Sequence, residues 1–121
     1  MDQTNYFDQI KTKMDAYAHL VYKQAKTVPK EELYGITSQL RRAALSVILN
    51  YIEGYARKRP AVKLNFWEIS YGSLKESKYL LNFSFKEGFI IEAAYIEATN
   101  LAEEIGAMLW KALDTLEKSK A

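Results

Sequence analysis

Apolar residues recur every three or four positions along four stretches of this 121-residue chain, which is the spacing of one face of an α-helix. The stretches cover about residues 4–27, 37–57, 60–86 and 92–118. No stretch alternates between apolar and polar residues with a period of two, so no β-strand is predicted. The pattern therefore predicts four helices and an all-α protein.

Breaks in this pattern occur where proline and glycine stand. Pro29 is expected to end the first helix, Pro60 suits the first position of the third, and Gly88 separates the third from the fourth. Connections this short favour antiparallel neighbours. We therefore expect a single domain, residues 1–121, folded as an antiparallel up-down-up-down four-helix bundle.

The stripes that should face the core are clear in three helices. The first helix offers Phe7, Ile10, Met14, Tyr17, Val21, Ala25 and Val28; the second offers Ile36, Leu40, Ala43, Ala44, Val47 and Tyr51; the fourth offers Ile91, Tyr95, Ala98, Ala102, Ile105, Leu109, Leu113 and Leu116. In the third helix the predicted core face contains Phe66, Ile69 and Leu80. Gly72 and Gly106 fall inside helices, where we expect them to allow close helix packing.

Two helices carry more apolar surface than one core needs. Leu45, Ile48, Leu49 and Ile52 form a second stripe on the second helix, and Trp67, Tyr71, Leu74 and Tyr79 extend the apolar face of the third. Another subunit could cover such surface, so self-association is expected.

Polar residues form a row beside the apolar stripe of the second helix. The row contains Gln39, Arg42, Ser46, Asn50 and Glu53, and Glu76 of the third helix is expected to join it. Such a row is either a satisfied polar seam or a surface that binds a partner. We expect these side chains to pair in buried or interfacial hydrogen-bond networks, and we favour this reading over a catalytic pair formed by Glu53 and Glu76.

Composition excludes several kinds of chemistry. The chain has no cysteine and one histidine, His19, which is expected on a polar outer face. No Glu-x-x-His pair of a di-iron bundle and no glycine-rich phosphate loop is present. We therefore predict no catalytic site, metal or cofactor, and hence no enzyme. Without a signal peptide or an apolar run long enough to span a membrane, the chain is expected in the cytoplasm.

Charge is unevenly distributed although the net charge is only +2. A basic cluster of Arg57, Lys58, Arg59 and Lys63 has no acidic residue within it, whereas residues 87–110 contain five Glu and neither Lys nor Arg. The cluster is either a solvated helix junction or a surface that contacts phosphates, and Arg41 is expected to join that surface.

Three sequence segments resemble signatures of the 23S rRNA intervening-sequence protein family. They are residues 34–46 continuing through 50–54, residues 66–76, and residues 103–109, and they follow the family order. One departure is Ile48, where family members commonly have proline. The second helix is therefore expected to be less kinked here.

The resemblance implies a small bacterial four-helix bundle with no established enzymatic activity. Relatives include the accessory protein of diversity-generating retroelements, a basic ring-shaped pentamer that works with a reverse transcriptase. We therefore expect a homo-oligomer, most simply a cyclic pentamer, that binds structured RNA or DNA through repeated basic patches. The alternative is a scaffold that docks a protein partner, such as a reverse transcriptase, without contacting nucleic acid.

Overall fold

A computed structural model describes residues 3–120, with the side chains of residues 5–119. The chain forms four long helices: α1 (Gln3–Ala25), α2 (Ser38–Tyr55), α3 (Pro60–Lys86) and α4 (Glu92–Lys120). No strand occurs between residues 3 and 120. The prediction of an all-α four-helix bundle is confirmed, and α2 continues through Ile48 without a break.

Contacts between neighbouring helices run in opposite residue order, so each neighbouring pair is antiparallel. Phe7 of α1 stacks on Tyr51 of α2, and Arg41, near the start of α2, lies over Tyr22, near the end of α1. On the other side of the bundle, the Tyr6 hydroxyl donates to the Met108 carbonyl, while the Gln24 side chain donates to the Ala94 carbonyl. Together with the Ser46–Ser73 and Ser70–Val47 hydrogen bonds between α2 and α3, these contacts give the up-down-up-down order.

The connections differ in length and conformation. Between α1 and α2 lie a 3-10 turn, Lys30–Glu32, and a π-helical turn, Leu33–Thr37. Between α2 and α3 only residues 56–59 intervene, and Pro60 occupies the first helical position as predicted. After α3, Gly88 adopts a φ of 78°, a conformation that favours glycine.

The predicted core stripe of α1 is buried along its whole length, and that of α2 is buried from Leu40 to Tyr51. In α4, the residues from Ala98 to Leu113 that were assigned to the core are also buried. Ile91 is an exception because it is exposed, and Ile90 enters the core in its place.

The predicted core face of α3 is only partly right, since Leu80 is buried as expected. Ile69 is exposed and Phe66 is only partly buried, whereas the core face contains Trp67, Leu74 and Leu81. Ser70, Ser77 and Ser84 belong to the same face, and all three are fully buried. Their hydroxyls have hydrogen-bond partners: Ser70 donates to the Val47 carbonyl at 2.6 Å, Ser77 pairs with the Tyr17 hydroxyl at 2.7 Å, and Ser84 donates to the Leu80 carbonyl at 2.8 Å.

The glycine that allows close helix packing is Gly54, not Gly72 or Gly106. A Cβ atom on Gly54 would lie 2.5 Å from Cδ1 of Trp67, whose indole nitrogen donates to the Tyr51 carbonyl. A Cβ on Gly72 would meet nothing within 4 Å, and one on Gly106 would make an ordinary contact of 3.5 Å. α2 and α3 therefore come closest where Trp67 packs against Gly54.

Candidate nucleic-acid interface

The basic turn, Arg57, Lys58, Arg59 and Lys63, lies at the end of the bundle where α2 passes into α3. Arg57, Lys58 and Arg59 are exposed, and Lys63 is partly buried on the first turn of α3. The structure thus brings together the four cations that the sequence grouped, because the connection between the two helices is short.

Two of these cations already have partners within the subunit. The Arg57 guanidinium lies 2.5 Å from a carboxylate oxygen of Glu53 and 5.1 Å from the Phe66 ring. The Lys63 ammonium lies over two rings, 5.4 Å from Tyr55 and 5.9 Å from Trp67. Within residues 5–119, neither Lys58 nor Arg59 forms an ion pair. These two side chains are the cations most available to a phosphate.

Arg41 does not belong to this surface. It lies near the start of α2, 16 residues from Arg57 and hence about 24 Å away along the helix axis. Its guanidinium packs 5.1 Å from the Tyr22 ring centroid, and its Nε atom is buried without a hydrogen-bond partner in the described structure. The prediction that Arg41 joins the basic cluster is wrong because the cluster lies at the opposite end of the bundle.

The polar row is not a buried network within the subunit. Gln39, Arg42 and Glu76 are exposed, and Glu53 pairs with Arg57 rather than with Arg42. Only the middle of the row is linked: the Asn50 amide donates to Ser46, which pairs with Ser73 of α3 at 2.7 Å. The prediction of buried pairing inside one subunit is therefore wrong, because these positions point away from the core. Pairing across a subunit interface stays a prediction.

Exposed apolar residues accompany this polar row on the outer side of α2 and α3. Leu45, Leu49 and Ile52 are exposed on α2, and Val62 and Ile69 are exposed on α3. We call this surface, with Arg42, Ser46, Asn50 and Ser73, the outer α2–α3 face. It combines apolar side chains with polar ones, a composition typical of protein interfaces.

A pocket of about 440 Å³ opens at the same end of the bundle as the basic turn. Its aromatic residues are Tyr6, Phe7, Tyr51, Tyr55 and Trp67, and its basic residues are Lys63 and Lys111. We call it the aromatic pocket. The sequence analysis placed Phe7 and Tyr51 in core stripes and Trp67 on surplus apolar surface, and it missed the convergence of these rings. The positions of these aromatic residues in the sequence could have predicted the pocket, since they lie at helix ends that an antiparallel bundle brings together.

Little in the described residues suggests catalysis. His19 is exposed and lies 3.4 Å from Asp15, as expected for a surface histidine. Between residues 5 and 119 no three His, Asp or Glu side chains cluster as they would around a metal ion. Burial raises the pKa of Tyr17 to about 12 and also raises that of Tyr51, while the Lys78 ammonium bonded to Glu103 lowers the pKa of that carboxyl. These shifts follow from packing and ion pairing.

Among the described helices, none has an apolar stretch of the length needed to cross a lipid bilayer.

Sequence comparison agrees with the helical architecture. The profile of the 23S rRNA-intervening sequence protein family matches residues 8–111, which is most of the chain. The chain therefore belongs to the 23S rRNA-intervening sequence protein family. No curated protein is significantly similar in sequence.

Structure comparison gives the same fold. A crystal structure of a protein with unknown function from the S23 ribosomal protein family of Bacteroides thetaiotaomicron VPI-5482 superposes with a TM-score of 0.80. The two chains share 21% sequence identity, and the match covers 86% of this chain and 97% of the other. At this identity the similarity establishes the shared helical fold.

Proposed function

We propose that this protein is a non-enzymatic, cytoplasmic, self-associating module that binds structured RNA or DNA through the basic turn. The observation that carries the proposal is the exposure of Lys58 and Arg59 at one end of the bundle, flanked by Arg57 and Lys63 and with no carboxylate partner among residues 5–119. Phosphate contacts made by such side chains do not depend on base sequence. Binding should therefore follow the shape of the nucleic acid.

Self-association strengthens this weak site. Four cations on a subunit with a net charge of +2 give limited affinity. The outer α2–α3 face offers exposed apolar side chains for another copy, and the resemblance to ring-forming relatives favours a cyclic pentamer. A ring would repeat the basic turn around one rim, and several weak contacts on one RNA would combine through effective concentration.

A protein-docking scaffold is the second candidate. The outer α2–α3 face supports it, because Leu45, Leu49, Ile52 and Ile69 are exposed next to polar groups that could complete hydrogen bonds with a partner. In this case the face would bind a different protein, such as a polymerase, and the basic turn would be only a solvated junction.

The deciding experiment compares two variants that each lose four positive charges. One replaces Arg57, Lys58, Arg59 and Lys63 by Ala; the control replaces Lys23, Lys26, Lys30 and Lys86, which are exposed at the opposite end of the bundle. Both are titrated with labelled structured RNA and DNA over a range of salt concentrations.

We expect wild-type affinity to fall steeply with salt, because each neutralised phosphate releases counterions. The basic-turn variant should lose binding and the control should retain it. Equal losses in both variants, or no low-salt binding by the wild type, would contradict the proposal and favour the scaffold.

A further inference from the structure

We propose that the aromatic pocket binds one unpaired nucleotide of the RNA that the basic turn contacts. The inference rests on the proposed function and adds to it a second, chemically different subsite. The nucleobase would lie against aromatic rings at the pocket mouth, and the phosphate would lie beside the pocket lysines. The protein would then recognise an RNA loop or bulge rather than a continuous duplex.

The rings supply the stacking surface. Tyr51 and Trp67 form the floor, both buried and 5.2 Å apart between ring centroids. Tyr55 is 38% exposed and stacks on the buried Phe7 at 3.7 Å. Tyr6 is partly exposed, with its hydroxyl fixed on the Met108 carbonyl at 3.1 Å. Rings held in this way lose little further entropy when a base stacks on them.

The cations supply the phosphate contacts. Lys63 lies over Tyr55 and Trp67, and the Lys111 ammonium lies 6.0 Å from the Tyr6 ring centroid. Neither lysine forms an ion pair within residues 5–119, whereas Lys13, Lys78 and Lys118 all do. Asp8 is also near, since its charge acts on Tyr51, but the pocket lining itself contains two lysines and no carboxylate. The pocket therefore combines flat apolar surfaces with net positive charge, which matches a nucleotide better than a neutral apolar ligand.

The position of the pocket makes it continuous with the basic turn. Lys63 belongs to both, since it lies one turn after Arg59 and lines the pocket. A strand whose phosphates contact Lys58 and Arg59 can therefore place its neighbouring nucleotide over Tyr55. A duplex cannot do so, because its bases are stacked and paired inside the helix.

The test uses two RNAs that share a stem sequence and have equal numbers of phosphates. In one the stem is closed by a loop of unpaired nucleotides, and in the other it continues as a fully paired duplex. Tyr55→Ala and Lys111→Ala alter the pocket. Tyr79→Ala and Lys75→Ala are the controls: Tyr79 is 65% exposed farther along α3, and Lys75 lies over the Tyr71 ring as Lys111 lies over Tyr6.

We expect Tyr55→Ala to weaken loop binding by roughly 10- to 100-fold, the range typical of losing one base–aromatic stack. Lys111→Ala should weaken it less, and both controls should bind as the wild type does. Affinity for the paired RNA should be unchanged in all four variants, because that RNA uses only the basic turn.

A second readout places the nucleotide in the pocket. The chain has two tryptophans, so Trp110→Phe leaves Trp67 as the only one. The looped RNA should change the Trp67 fluorescence more strongly than the paired RNA, which reaches this ring only through Lys63.

The outcomes separate this inference from the proposed function. If both RNAs bind equally well and the pocket variants behave as wild type, the pocket inference fails while the basic turn still binds nucleic acid. If neither RNA binds at low salt, the proposed function fails and the pocket inference fails with it.

Discussion

Tyr17 and Ser77 meet across the core, where the hydroxyl oxygens of α1 and α3 lie 2.7 Å apart. Both side chains are fully buried, and Ser77 also donates to the Leu74 carbonyl. Burying a hydroxyl without a hydrogen-bond partner costs free energy, and here each hydroxyl is the partner of the other. This pair links two helices that lie diagonally in the bundle.

Alkaline pH should destabilise the protein through Tyr17. Its pKa rises from 10.0 to about 12 on folding, so between these values the unfolded chain loses a proton that the folded chain keeps. Ionisation then favours unfolding, by about 1.4 kcal/mol for each pH unit in this window. The stabilising contribution is complete below pH 10. Tyr17→Phe should unfold more easily at pH 8 but lose less additional stability by pH 12, as measured by urea denaturation at each pH. If the free energy of unfolding of Tyr17→Phe fell with pH as steeply as that of the wild type, ionisation of Tyr17 would not be the cause.

Arg42→Ala and Glu53→Ala should have small effects on the stability of one subunit. Arg42 is exposed, and Glu53 forms only an i, i+4 pair with Arg57, an arrangement worth about 0.3–0.5 kcal/mol. We expect changes below about 0.5 kcal/mol in the free energy of unfolding, measured at protein concentrations low enough to populate monomers. A loss of several kcal/mol in the monomer would show that these side chains are buried after all.

The packing of α2 on α3 depends on a glycine on one helix and a tryptophan on the other. Trp67 lies so close to Gly54 that no β-carbon fits, and Lys63 contributes a carbonyl oxygen 3.1 Å from the same position. The core face of α3 therefore has a large residue, Trp67, beside Gly54. Farther along the helix it has three small buried residues, Ser70, Ser77 and Ser84. Apolar periodicity alone does not identify a core face built in this way.

Gly54→Ala and Gly72→Ala should change stability in opposite directions. At Gly54 the added methyl group would press on the Trp67 ring and Lys63 carbonyl, and such overpacking costs about 1–3 kcal/mol. At Gly72 the methyl group would meet open space, and helix propensity should then add about 0.4–1 kcal/mol. Denaturant unfolding of both variants at one protein concentration measures the difference. A destabilised Gly72→Ala would indicate that another subunit approaches this position.

At the scale of the whole molecule, the exposed apolar stripe of α2 and the polar row beside it define the surface most suited to another copy. Leu49 is 59% exposed at its centre. The opposite side of the same helix forms the core, so α2 has apolar residues on two sides.

Leu49→Glu should weaken self-association without unfolding the subunit. A carboxylate buried at an apolar interface must lose its hydration, whereas in the monomer it stays in water. Light scattering at micromolar concentration should show a lower mass than for the wild type, while circular dichroism remains helical. Ile91→Glu is the control, because Ile91 is exposed before α4 and away from this face. A monomeric wild type, or equal masses for all three proteins, would contradict self-association through the outer α2–α3 face.

The sequence predicted the helices and connections well because apolar spacing and the positions of Pro60 and Gly88 are local signals. It failed in part for α3, where Leu80 is buried as expected but Phe66 and Ile69 are not, and where three serines belong to the core face. It grouped the basic turn correctly because those residues are neighbours in the chain. It misplaced Arg41 because the outward side of α2 was considered and the 16-residue separation from Arg57 along the helix was not. The aromatic pocket was missed because its residues come from separate helix ends.

The serines of α3 also affect how α3 is aligned with the neighbouring helices during folding. Ser70, Ser77 and Ser84 recur every seven residues, and so do Trp67, Leu74 and Leu81, each three residues before a serine. A shift of α3 by seven residues would place another serine opposite Tyr17 and another leucine against the neighbouring helices, so these repeats alone do not single out one alignment. Trp67 is the exception, since its ring packs against Gly54 so closely that a Cβ there would lie 2.5 Å from Cδ1. The Trp67–Gly54 contact, which lies beside the short turn from α2 to α3, therefore distinguishes one position of α3 along α2 from the others.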